Sequence, residues 1–142
     1  MKRLRLAVLG ACLLGIAAGL AWFALRPPGY EKTQAVACAD IVAGCLVDER
    51  GLQVVFDRRP QAMQPFLLQV RKAQADQVHA SFSMHGMQMG FNRYRLLPQG
   101  DGRWQAQVTL PACVQGRSDW ELLLEVNTAR YALPFSAGGL PP

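Results

Sequence analysis

From Arg103 to Leu110 the chain alternates without a break. Trp104, Ala106, Val108 and Leu110 fall on one face, and Arg103, Gln105, Gln107 and Thr109 on the other. A period of two is the signature of a strand with one face buried and one wet, and it is incompatible with a helix over the same residues. The pattern recurs. Leu52, Val54 and Phe56 alternate with Gln53, Val55 and Asp57, and Phe66, Leu68 and Val70 with Leu67, Gln69 and Arg71. Val78, Ala80, Phe82 and Met84 oppose His79, Ser81, Ser83 and His85, and Tyr94 and Leu96 oppose Arg93 and Arg95. Trp120, Leu122, Leu124 and Val126 alternate with Asp119, Glu121, Leu123 and Glu125, and Asn127-Thr128 forms a tight connection to Tyr131, Leu133 and Phe135. About seven short strands with turn residues between them predict an all-β fold, an antiparallel β-sandwich of immunoglobulin-like size.

Ahead of this region lies a segment of another kind. Leu6 to Leu25 is an uncharged run of twenty residues, about the length that crosses a hydrocarbon core as a helix. Lys2, Arg3 and Arg5 precede it, which places the N-terminus in the cytoplasm and the rest on the far side of the membrane. A cleaved signal peptide has a shorter apolar core and a small-residue cleavage site, whereas this run ends in Trp22-Phe23-Ala24-Leu25-Arg26-Pro27-Pro28. A lipobox-like Leu9-Gly10-Ala11-Cys12 is present, but thirteen further apolar residues follow Cys12. The expected organisation is a transmembrane anchor over 1–26 and a Pro- and Gly-initiated linker over 27–37. A periplasmic domain follows over 38–136, and a tail over 137–142.

Charge follows the same division. The formal charge of +5 rests on fifteen Lys and Arg against ten acids, and three of those bases precede the apolar run. What remains is close to balanced, which argues against a nucleic-acid surface. Cys38, Cys45 and Cys113 all lie after the anchor, in a compartment where disulfides persist. Cys38 and Cys45 are separated by six residues, a spacing that matches no redox or zinc motif, so a structural disulfide is favoured. Pairing of Cys45 with Cys113 across the sandwich and a free Cys113 thiol are the alternatives.

The unusual chemistry is concentrated in Ser83-Met84-His85-Gly86-Met87-Gln88-Met89-Gly90, which holds three of five methionines and one of two histidines. Thioether and imidazole donors suit copper, Cu(I) above all, because soft ligands favour a soft cation. Met84, His85, Met87 and Met89 are the candidate metal ligands, with His79 as a further one from the same strand. Methionine also fills irregular core gaps. Met84 continues the Val78-Ala80-Phe82 apolar face and so has that second explanation, which serves Met87 and Met89 less well. Met63 could add a further ligand, but loop packing is the favoured reading. The arginines of Phe91-Asn92-Arg93-Tyr94-Arg95 read as a solvated strand face. Neither a nucleophile elbow, a zinc-protease helix nor a phosphate loop occurs, so the chain is not expected to be an enzyme.

With its short basic N-terminus, single apolar segment and small extracytoplasmic β-domain, the stretch Phe82 to Gly90 resembles the FixH and YtkA-like group. That resemblance implies copper handling or assistance in assembling a haem–copper oxidase, with a membrane oxidase or copper transporter as partner. Met84, His85, Met87 and Met89 are the ligands it would carry over. The three extracytoplasmic cysteines depart from that group's pattern. A second expectation, of another class, is a non-catalytic interaction subunit that docks on a membrane complex with no metal role.

Overall fold

The computed structural model describes residues 31–84, 92–112 and 117–138, together with 15, 16, 19–22 and 25. Most of the apolar run Leu6–Leu25 therefore lies outside the described residues. Among those that are described, no helix is long and apolar enough to cross a membrane.

Among the described residues, ten strands form two five-stranded sheets, a β-sandwich. They are β1 (Gln34–Ala35), β2 (Cys45–Leu46), β3 (Gln53–Phe56), β4 (Pro65–Arg71) and β5 (Val78–Met84), followed by β6 (Arg93–Arg95), β7 (Leu97–Gly100), β8 (Arg103–Thr109), β9 (Asp119–Val126) and β10 (Ala129–Ser136). One sheet has the order β1-β10-β9-β5-β6, the other β2-β3-β4-β8-β7. Among these ten strands every pairing is antiparallel except that of β1 with β10, where Gln34 stands beside Tyr131.

The alternation expected from the sequence is the alternation of burial. β5 runs buried, half-buried, buried along its whole length, and Leu52, Val54 and Phe56 are fully buried. Phe56 contacts Phe66 of its own sheet at 4.8 Å and Phe135 of the opposite sheet edge-on at 5.3 Å. Phe82 meets Phe66 and Phe135 edge-on, both at 6.1 Å. Each such aromatic pair adds about 0.5–1.5 kcal/mol beyond the burial of its area, so this cluster joins the two sheets near one end.

Two connections depend on backbone sign. Asp101 and Gly102 link β7 to β8 with φ of 52° and 67°, the two left-handed residues of a type I′ hairpin whose twist matches that of its strands. Asn127, at φ 54°, turns β9 into β10. Its Oδ1 accepts the N–H groups of Asp76 and Gln77 at 2.9 and 3.3 Å, fixing the entry to β5.

β6 and β7 belong to different sheets, yet only Leu96 separates them. Leu96 is fully buried and donates its N–H to the Val78 carbonyl at 3.0 Å. Before β2, the residues from Ile41 to Ala43 make a turn. Gly44 donates to the Asp40 carbonyl at 3.2 Å, and the Val42 N–H binds Asp40 Oδ1 at 2.9 Å. The segment from Cys38 is thus first a turn and then an edge strand.

Candidate functional site

One end of the sandwich gathers segments that are far apart in sequence. β5 ends at Met84, which lies directly opposite Trp120 on β9, and Trp120 opposes Phe135 on β10. Beyond that strand, Ala137 donates to the Ser118 carbonyl at 3.0 Å and Gly138 to that of Pro60 at 2.8 Å. Ala62 bridges to Leu110, and the Met63 N–H binds the Leu110 carbonyl at 2.9 Å. The exits from β5 and β8, the return into β9 and the connection from β3 to β4 therefore meet at one end.

Met63 sits there at φ 63°, a left-handed conformation uncommon for any residue with a side chain beyond glycine, asparagine or aspartate. Its side chain is 59% exposed. Packing does not account for it, contrary to the expectation from sequence.

Met84 is 2% exposed and part of the core cluster, so the structure gives it a complete packing role. His85, Met87 and Met89 lie outside the described residues, as does Cys113. His79 is the second residue of β5, on its outward face, opposite Arg95 on one side and Glu125 on the other. Five residues of strand, about 17 Å at the usual rise, and opposite faces of a sheet separate His79 from Met84. The two cannot ligate one ion from these positions. Burial, the Arg93 guanidinium and, less strongly, Arg95 push the His79 imidazole below its ordinary pKa, against an opposing pull from Glu125. Among the described residues, no three His, Cys, Asp or Glu side chains come together as a metal cluster.

Cys38 and Cys45 stand at disulfide distance, with Cα atoms 5.7 Å apart. The pair closes the turn before β2 and occupies Cys45, which leaves no place for a Cys45–Cys113 bridge.

Two polar networks were not legible in the sequence. Glu125 points outward from β9, yet it is 5% exposed, because arginines from two other strands cover it. Arg93 of β6 reaches over Ser81 of β5 to Glu125 Oε2 at 2.7 Å, and Arg130 of β10 donates to Oε1 at 2.9 Å. Arg93 is therefore more than a solvated residue; the small side chain of Ser81, its direct neighbour, leaves room for the span. The second network lies at the opposite end. Asp48 accepts from the Leu52 N–H at 2.7 Å, Lys72 Nζ at 2.8 Å and the Tyr131 hydroxyl at 3.3 Å. Burial pushes the Asp48 carboxyl up, but Lys72, the Leu52 N–H and Tyr131 together outweigh it and hold it below its ordinary value. Burial, reinforced by the Asp48 charge, raises the Tyr131 phenol.

No family model, curated protein or solved structure matches this chain.

Proposed function

We propose that this chain is a membrane-tethered periplasmic protein of non-catalytic function that binds copper, as Cu(I), through His85, Met87 and Met89. In this reading it passes the ion to a membrane client such as a haem–copper oxidase or a copper transporter. The observation that carries it is the convergence at one end of the sandwich. β5 leads into the Met/His stretch there, β8 leads towards Cys113, and the exposed Met63 is bonded through its backbone N–H to Leu110. Thioether, imidazole and thiolate are the donor types that favour Cu(I) over harder cations. The fold is read as immunoglobulin-like. The order β3-β4-β8-β7 facing β6-β5-β9-β10 supports this, since it has the A-B-E-D and C′-C-F-G connectivity of that class.

The test is a Cu(I) titration of the full chain in detergent, under reducing conditions. About one equivalent is expected for the native protein, and a Met87→Leu/Met89→Leu variant should retain little of it. Equal uptake by that variant refutes the reading. The exposure of Met63 also supports a second reading, a subunit whose methionine-bearing end docks on a membrane complex without metal. Co-purification with such a complex that survives both chelation and loss of the methionines selects docking.

A further inference from the structure

The outward face of the β2-β3-β4-β8-β7 sheet carries a groove of about 610 Å³, within the range of ordinary ligand sites. Its chemistry is unlike that of the methionine-bearing end. Gln69 of β4 and Gln105 of β8 are directly opposed across the strands, and Val55 stands beside Gln69 on the other side. In the next row Gln53 opposes Arg71, and Arg71 opposes Arg103. Leu46, 64% exposed, forms the far wall.

Two features of this arrangement leave polar groups available to a ligand. Like charges directly opposite on neighbouring strands repel, and Arg71 and Arg103 are such a pair. The Arg71 side chain makes no ion pair or hydrogen bond with another described residue. Among the described residues the Arg103 side chain pairs with Asp101 alone, at 3.7 Å, and that carboxylate is 92% exposed, so their attraction is weak. In addition, the amides of Gln53, Gln69 and Gln105 make no hydrogen bond to any described residue. This face presents two guanidinium groups side by side and a patch of primary amides beside exposed Leu46 and half-buried Val55.

We propose that this groove binds an extended acidic peptide segment of a partner protein. A carboxylate of the peptide lies between Arg71 and Arg103, where paired guanidinium donors make short, charge-assisted bonds. Its backbone groups meet Gln69 and Gln105, whose amides carry the same donor and acceptor as a peptide bond. Alternate side chains of the peptide rest on Val55 and Leu46. Binding at this face requires no metal, so it stands or falls independently of copper.

The test is fluorescence anisotropy with the full chain and a labelled decapeptide of alternating Glu and Thr, at low salt. The acidic peptide should bind, and the decapeptide with Gln in place of Glu should bind at least tenfold more weakly. Arg71→Ala and Arg103→Ala should each weaken the acidic peptide at least tenfold, and Gln105→Ala several-fold. Arg95→Ala, on the outward face of the other sheet, should leave binding unchanged. Arg71→Ala should melt no lower than the native protein, because it removes a repulsion. Unchanged affinity in the Arg71 and Arg103 variants overturns the proposal, as does equal binding of the neutral peptide. Displacement by glutarate at equal carboxylate concentration would also overturn it in favour of a small free anion. So would Arg71- and Arg103-dependent binding to phosphatidylglycerol vesicles without peptide binding, in favour of a lipid surface.

Discussion

Met84 is the residue on which the core and the copper reading compete, and two substitutions separate them. It is 2% exposed and opposes the buried Trp120. Truncating a buried methionine to alanine loses its transfer free energy and leaves a cavity, together about 2–5 kcal/mol. Met84→Leu conserves most of the volume and should cost less than about 1.5 kcal/mol. In a domain near a hundred residues, each kcal/mol moves the melting midpoint by roughly 4–8 °C. Met84→Ala should therefore melt about 10 °C or more below the native protein, and Met84→Leu within several degrees of it. Tryptophan fluorescence on heating reads both, because Trp104 and Trp120 are core residues. The same Met84→Leu protein is then titrated with Cu(I). If Met84 serves the core alone, uptake equals that of the native chain. A Met84→Leu protein that melts normally but has lost the copper would refute the reasoning, as would a Met84→Ala protein that melts with the native one.

Asp48 gives a pH dependence. Its folded-state pKa lies below the ordinary 3.8, so its stabilisation is complete above that value and is lost as pH falls through the folded-state pKa. Asp48→Asn should cost about 1–3 kcal/mol at neutral pH, because it removes the charge from a pair only 14% and 16% exposed. Urea midpoints of the two proteins should converge in acid; a gap that stays constant to pH 2 would contradict this assignment. Gly102 and Gly100 offer a steric comparison. A Cβ on Gly102 would meet the Lys72 carbonyl oxygen at 2.8 Å and Ala73 Cα at 2.9 Å, whereas at Gly100 nothing lies within 4 Å. Both have positive φ, which costs alanine about 1–2 kcal/mol, so Gly102→Ala should lower the urea midpoint clearly more than Gly100→Ala. Equal losses would mean that backbone sign alone governs this turn.

The long strands were legible because each has one wet and one dry face, and that contrast is written into every second residue. β7 was not, since all four of its residues are exposed and it includes Pro98 and Gly100. β1 was hidden for a similar reason: Gln34 and Ala35 are both exposed, and they are recruited by hydrogen bonds along β10. Glu125 follows the alternation but is buried on the outward face, because the arginines covering it come from residues 93 and 130. Pairing across a sheet is not visible in the order of residues along one strand. At the candidate site, the alternation through Met84 already contained its place in the core. The position of Met63 depended on a backbone bond to Leu110 that no local pattern announces. The like-charged pair of Arg71 and Arg103 was hidden in the same way, since each is an unremarkable end residue of its own strand.

The parallel docking of β1 on β10 also fixes the direction from which the chain arrives. Glu31 donates its N–H to the Thr128 carbonyl at 3.0 Å, beside the β9–β10 turn, whereas the methionine-bearing end lies past the other terminus of β10. Eight residues of strand at the usual rise make that separation about 25 Å. In the proposed tethered arrangement, Glu31 is the described residue next to the linker, and Met63 and Met84 lie at the other end of the domain from it. With the long axis of the domain along the membrane normal, a client of the proposed site would have to present its acceptor well above the bilayer surface, on an extramembrane domain or at the mouth of a funnel. Shortening the linker would lower the whole domain without shortening that lever.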